Sequence, residues 1–225
     1  MELKDKVVVI TGALGALGRA VAETAAAAGA TVIAIDRVDG TPPKAALAAP
    51  ALDLGDPQAT QAALADIAAK HGRIDALVNI AGGFRWETLA DGSIDTWDQL
   101  YQLNVRTAVN ASRAALPHFP ASGGRIVNIG ANGAVKAAAG MGAYAASKSG
   151  VHRLTEALAE ELKGQVCVNA VLPSIIDTPA NRADMPKAKF ETWVKPEELA
   201  AVILFLASES ASAVTGALLP VVGRV

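Results

Sequence analysis

Tyr144 and Lys148 are the residues of this 225-residue chain whose types and spacing most directly suit a shared chemistry, in the run Tyr144-Ala145-Ala146-Ser147-Lys148. Four residues apart on a helix, they project from one face, one turn above the other, which sets an ammonium beside a phenol. A phenol titrates near pH 10 and exchanges protons poorly at neutral pH; bringing it near 7 takes about 4 kcal/mol of preferential stabilisation of the phenolate. A neighbouring Lys148 is the simplest source of that field. The same spacing arises by chance on exposed helices, so the pair gains meaning only from the elements that would position it.

The amino-terminal region supplies a partner. Lys6 to Thr11 is a short run rich in β-branched residues that closes in Gly12, and Gly15 and Gly18 follow at the mouth of an Ala-rich segment reaching Gly29. This reads as strand, tight turn and helix. Glycines there let the backbone turn sharply and let a pyrophosphate approach the amides of a helix N-terminus, where the macrodipole favours negative charge. A second apolar run, Thr31 to Ile35, closes in Asp36 about 20 residues further on, where a carboxylate accepts hydrogen bonds from an adenine ribose. NAD(H) is therefore favoured, with NADP(H) kept open by Arg37.

Composition bounds the rest. With 52% hydrophobic residues, 19% charged residues and a net charge of −2, the chain reads as compact, and no basic excess points to nucleic acid or an anionic membrane. The opening, Met1 to Lys6, lacks the apolar core of a secretory signal, and other apolar runs are too short or broken to span a bilayer, so the expected location is cytoplasmic. Cys167 is the only cysteine, excludes an internal disulfide and reads as a small core residue. His71, His118 and His152 are scattered and the acids show no ligand spacing, so no metal site is expected.

Strands and helices alternate along the chain. Val38 to Pro43 breaks structure, leaving room only for a short crossover before a third strand at Pro50–Leu54. A helix from about Pro57 to Lys70, capped by Asp56, leads to strand four, Ile74 to Ile80, ending in Ala81-Gly82-Gly83. A long helix from near Ser93 to Leu116 follows, then strand five (Arg125–Ile129), the helix with Tyr144 and Lys148, strand six (Val166–Leu172), a helix from Pro196 to Ala207 and a last strand at Leu218–Val222. Alternating βα units imply an α/β fold, a Rossmann-type doubly wound parallel sheet of about seven strands in the order 3-2-1-4-5-6-7 with helices on both faces. No linker divides the chain, so residues 1–225 are expected to form one dinucleotide-binding domain.

These motifs together resemble the short-chain dehydrogenase/reductase family from Lys6 to Gly223. Thr11-Gly12 to Gly18, including Leu17, resembles its cofactor turn, Asp53-Leu54 its adenine contact, and Asn79-Ile80-Ala81-Gly82 the segment after strand four. Asn104 resembles the asparagine of the long helix, and Pro173 to Pro179, with Ile176 and Thr178, the loop that holds the nicotinamide carboxamide. The resemblance implies an NAD(P)-dependent oxidoreductase acting on a small molecule. In it Tyr144 donates the proton, Lys148 binds the nicotinamide ribose and lowers the tyrosine pKa, and Asn104 holds a water that relays protons to the lysine. It also implies a homodimer or homotetramer.

Three positions depart from the family pattern. Ala16 stands where the middle glycine of the turn belongs, Ile80 replaces an asparagine, and Ala131, thirteen residues before Tyr144, replaces the serine that hydrogen-bonds a substrate carbonyl. Deleting such a donor typically costs about 3–4 kcal/mol of transition-state stabilisation. Either Asn132 replaces it or the substrate is electrophilic enough to need no such help. The C-terminal third resembles the dihydropteridine reductase branch, in Gly140-Met141, Val151-His152 and the stretch from Val171 to Trp193, so a quinonoid dihydropteridine is the first expected substrate. A carbonyl or 3-oxoacyl thioester is the alternative, and a dinucleotide sensor without turnover a minor one. Phe84, Trp86, Ala131, Met141, Met185 and Trp193 are the expected substrate contacts, the last two on a lid near residues 177–195. His152, two turns beyond Tyr144, is expected to pack or meet solvent.

Overall fold

The computed structural model describes residues 2–224, so Met1 and Val225 lie outside the described residues. Seven strands form one parallel sheet in the expected order: β1 (Val7–Thr11), β2 (Thr31–Ile35), β3 (Ala46–Ala48), β4 (Ala76–Asn79), β5 (Gly124–Ile129), β6 (Val166–Pro173) and β7 (Leu218–Val221), arranged β3-β2-β1-β4-β5-β6-β7. Side chains of successive strand residues point to opposite faces, and both faces are covered. Val8, Ile10, Val78 and Val127 pack on one face with Leu199 and Ile203 of α7 (Pro196–Ala207) and Val21 of α1 (Ala16–Ala27). Val7, Val9, Leu77 and Ile126 pack on the other with Leu64 of α2 (Pro57–His71) and Ala111 of α4 (Thr107–Ala115).

Helix boundaries follow their capping chemistry. Asp56 Oδ1 accepts from the Gln58 and Ala59 amides at the start of α2, and Gly72 closes it in the left-handed conformation. Ser93 caps α3 (Ile94–Tyr101) by accepting from the Asp95 amide. The long helix expected from Ser93 is not continuous: a π turn at Gln102–Arg106 separates α3 from α4, and Asn104 stands in its middle. Inserting one wide turn re-aims the side chains after it, and such turns recur at functional sites.

Strand three differs from expectation. It is Ala46–Ala48, not Pro50–Leu54, and pairs with Val32 to Ala34 at the edge of the sheet. The backbone turns from the Pro43 carbonyl to the Ala46 amide, with Ala45 at φ 65°, and enters the sheet early. Residues after Pro50 then run as a loop, its path fixed by the Leu52 amide on the Asp36 carbonyl, while Leu52 and Leu54 stay buried against the α2 face. Both leucines supplied the apolar signal that suggested a strand there. No helix is present between β2 and β3, in accord with the short crossover. Cys167 is half-buried on β6 with its thiol 3.4 Å from the Ser212 carbonyl, not in the core.

Candidate active site

The carboxyl ends of β1, β4 and β5 meet where the strand order reverses, and the backbone there is packed too tightly for side chains. Gly12, at φ +64°, lies so close to strand four that a Cβ would stand 2.8 Å from the Ala81 nitrogen, and a methyl at Gly18 would overlap the Gly12 carbonyl. Gly15, the N-cap residue of α1, has no such crowding, since its nearest neighbour would be 3.4 Å away. Thr11 braces the turn: its Oγ1 accepts from the Ile80 and Ala81 amides, both at 3.1 Å. Ala16 is the first residue of α1 and is exposed, while Leu17 is buried on its inner face.

This turn has the chemistry of a pyrophosphate cradle. The N-terminus of α1 carries no side-chain cap and no acidic residue in its first turn, so its orphan amides face an approaching anion uncontested. Asp36 is half-buried at the end of β2, with Oδ2 accepting from the Leu14 amide at 3.0 Å and Oδ1 from the Arg37 amide at 2.8 Å. The carboxylate thereby fixes the turn and retains lone pairs for ribose hydroxyls. Arg19 holds the Leu14 and Thr41 carbonyls from the other side. Asp53 is exposed and accepts from the Gly55 amide, and the carbonyl of buried Leu54 accepts from Asn110 Nδ2. Together these groups fit a nicotinamide dinucleotide.

Gly82 joins that turn to the ionisable pair. A methyl on Gly82 would stand 2.6 Å from Asn104 Oδ1 and 3.4 Å from Lys148 Nζ. Tyr144 and Lys148 lie on α5 (Gly142–Glu161), and Lys148 Nζ donates to the Ile129 carbonyl at 2.8 Å. Phe84 packs edge-on against Tyr144 with ring centroids 4.9 Å apart. The glycine turn, Gly82, Asn104, Lys148 and Tyr144 therefore form one continuous surface.

Several of these side chains make contacts that spacing along the chain does not announce. Burial raises the Tyr144 phenol to about 12, and burial lowers Lys148 to about 8, so the phenol is not held near neutrality here. Both shifts have one cause, the penalty on the charged form. Both amide hydrogens of Asn104 are engaged, with Gly83 O at 3.1 Å and Ser147 Oγ at 2.9 Å, while Oδ1 accepts from Gly83 N at 2.8 Å. Its side chain braces the loop after β4. Asn79 points away from the cofactor turn into a buried network, donating to Ser112 Oγ and Asn128 Oδ1, because alternation along β4 turns it toward α4.

The expected substrate contacts divide. Trp193 is 3% exposed and belongs to the core beneath the lid, so it is not a surface of the cleft. Its ring packs on Phe190, over which Arg182 stacks while bonding Asp177, and Val194 pairs with Ile176. Thr178 caps the short α6 (Pro179–Asp184), Met185 ends it half-buried, and Pro173 is buried at the end of β6. Trp86 is 59% exposed and lies over Gly140, its indole N–H donating to the Ala139 carbonyl at 3.0 Å. Half-buried Met141 follows as the N-cap of α5. Glu87 locks this clasp by donating its amide to the Gly140 carbonyl and accepting from the Ser93 amide and Thr96 Oγ1. Ala131 is buried at the end of β5, where its amide donates to His152 Nε2 at 3.3 Å. His152 is buried, so of the two expectations it packs and does not meet solvent, and its ring also accepts from that amide.

Sequence reasoning passed over Glu87, Ser147 and the bond from Ala131 to His152. Each acts through a contact between distant segments, and only the adjacency of Trp86 and Glu87 to the glycines after β4 hinted at a clasp. Among the described residues no cluster of His, Cys, Asp and Glu is gathered for a metal, and no helix is long and apolar enough to cross a membrane.

Known proteins are similar to this chain in sequence and fold. The family profile described as short chain dehydrogenase matches residues 6–189. The chain is 35% identical over 239 residues to the meso-2,3-butanediol dehydrogenase of Serratia marcescens, covering 99% of this chain and 95% of that one. It is 35% identical over 245 residues to the 3-oxoacyl-[acyl-carrier-protein] reductase of Thermotoga maritima, covering 99% and 98%. The ligand-free structure of Thermoplasma acidophilum aldohexose dehydrogenase superposes with a TM-score of 0.89 at 30% identity, over 99% of this chain and 94% of that one. These relatives are named for diol, 3-oxoacyl and sugar substrates and none for a pteridine, which corrects the expectation that the C-terminal third stands closest to dihydropteridine reductase.

Proposed function

The chain belongs to the short-chain dehydrogenase family, and on that premise we propose that it is a nicotinamide-dependent oxidoreductase of a small carbonyl compound or its alcohol. The favoured substrate carries a carbonyl activated by a neighbouring oxygen function, as in a hydroxyketone, a diketone or a 3-oxoacyl thioester. The observation that carries this reading is the continuity of the glycine turn, Gly82, Lys148 and Tyr144 at one end of the sheet.

A nicotinamide held at this site would supply the hydride to the carbonyl carbon, or accept it from the carbinol. Gly12, Gly18 and the first amides of α1 would hold its pyrophosphate, Asp36 its adenine ribose, and Lys148 its nicotinamide ribose, with NAD(H) preferred because a 2′-phosphate would meet the Asp36 carboxylate. Tyr144, protonated throughout the neutral range because burial raises its pKa to about 12, donates its hydroxyl proton to the carbonyl oxygen as the C–H bond forms. Lys148 stands one turn below as the charge that stabilises the tyrosinate left behind. Asn104 keeps Gly83, and with it the backbone between cofactor and substrate, in place. Phe84 and Trp86 wall the cleft on the Tyr144 side.

Ala131 favours an activated substrate. With no serine hydroxyl at position 131, and Asn132 exposed as the nearest other donor, polarisation of the carbonyl falls mainly to Tyr144, and an adjacent carbonyl or oxygen substituent withdraws electrons from the carbon that receives hydride. A quinonoid dihydropteridine is a second reading supported by the same residue, since a substrate that regains conjugation on reduction needs little polarisation. Loss of nicotinamide fluorescence with diacetyl, acetoin, an acetoacetyl thioester, an unactivated monoketone and quinonoid dihydropterin decides between them. Turnover of the first three above the monoketone supports the proposal, and pterin reduction far above all of them overturns the carbonyl reading. We further propose a homodimer or homotetramer.

A further inference from the structure

Two residues of α5, one turn apart, hold the end of β5 by its backbone. Lys148 Nζ donates to the Ile129 carbonyl at 2.8 Å, and four residues on, His152 Nε2 accepts from the Ala131 amide at 3.3 Å. Between them Gly130 has no room for a side chain, because a Cβ there would stand 2.5 Å from His152 Nε2. An imidazole nitrogen that accepts is unprotonated, so the neutral ring carries its hydrogen on Nδ1.

We propose that His152 is a positioning residue for the reaction, fixing the Gly130–Ala131 backbone and through it the orientation of Lys148, and that it does so only as the neutral Nδ1–H tautomer. The proposal rests on the oxidoreductase reading of Tyr144 and Lys148. Protonation would turn Nε2 into a donor facing the Ala131 N–H, leaving two donors in contact and no acceptor. The register of β5 against α5 would then be released at the one end that touches Lys148. Burial and the charges of Arg153 and Lys148 all push the imidazole pKa down, which keeps the ring neutral at working pH. Those two cations, both on α5, are the charged groups that act on it, and Gly130 and Ala131 of the β5 end and Leu172 of β6 beside Gly130 bring no charge.

The test has a spectroscopic arm and a kinetic arm. In the protein labelled with nitrogen-15 at histidine, the His152 ring should show the Nδ1–H tautomer at neutral pH and titrate below the ordinary histidine value. An Nε2–H tautomer, or titration at or above the ordinary histidine value, would overturn the proposal without any reference to substrate. In the kinetic arm, His152→Gln retains an acceptor that does not titrate, and should keep most of the wild-type kcat at pH 7.5 while losing the acid-side decline of the wild type. His152→Leu removes the acceptor and should lower kcat about tenfold, the rate equivalent of one hydrogen bond, and raise KM for the reduced cofactor with it, because Lys148 would hold the nicotinamide ribose. If the Leu variant fails to fold, the Gln profile still decides: an acid limb identical to wild type contradicts the proposal. Absence of turnover in the wild type counts against the oxidoreductase reading, and the spectroscopic arm then stands alone.

Discussion

At Tyr144 and Lys148, burial acts on two groups of opposite charge type and leaves both nearer their neutral forms. The tyrosine at about 12 stays a proton donor across the working range, but the lysine at about 8 loses its proton within it. Carbonyl reduction should therefore fall as pH rises through about 8, and the pH profile of kcat measures this. Lys148→Arg should remove that alkaline limb, at a lower plateau, because a guanidinium keeps its charge. The stability consequence has the opposite sense. Lys148 binds its proton less tightly folded than unfolded, so its contribution to stability is lowest below pH 8 and rises between about 8 and the ordinary lysine value of about 10.5. Ala131→Ser adds a donor at the carbonyl and should raise the rate with an unactivated monoketone about tenfold or more, while barely changing that with a diketone. Equal gains for both would contradict the activated-substrate account. Asp36→Ala should improve kcat/KM for NADPH relative to NADH, because like charges a few ångströms apart repel by about 4 kcal/mol at an effective dielectric near 20. An unchanged ratio would place the discrimination on Arg37 instead.

Elements carry these residues into register, and their legibility in the sequence was uneven. The strand, turn and helix around Gly12 and Gly18 could be read directly, since β-branched runs and glycines at fixed offsets encode local geometry. The start of α2 at Pro57 and both ends of α7 were legible for the same reason, being set by Asp56 and by the sequence from Pro196. The third strand was misplaced because Leu52 and Leu54 are as apolar as strand residues, yet bury themselves from a loop. The π turn at Gln102–Arg106 leaves no mark in hydrophobic periodicity, since it adds a single residue to a turn. The roles of Asn79, Trp193 and His152 depended on which way each side chain faces in the assembled sheet. Gly18→Ala tests the turn: the new methyl would overlap the Gly12 carbonyl, and overpacking of this kind costs about 1–3 kcal/mol. A lowered melting temperature together with a weakened dinucleotide affinity is expected, whereas Gly15→Ala, which meets nothing closer than 3.4 Å, should change stability far less.

Across the whole molecule, one parallel sheet with helices on both faces gathers groups from Thr11 to Lys148 at a single end, where the strand order reverses between β1 and β4. The short crossover between β2 and β3 leaves that end in order, because the Leu52 amide bonds the Asp36 carbonyl while the Asp36 carboxylate accepts from the Leu14 amide. The central claim is that this end performs hydride transfer with Tyr144 as the proton donor, and the most direct test is to measure turnover and dinucleotide affinity in Tyr144→Phe. The account predicts a loss of kcat of about 10²–10⁴-fold with NADH affinity unchanged, since only the ionisable hydroxyl is removed. A Phe variant that kept half the wild-type rate under conditions where chemistry limits turnover would contradict it.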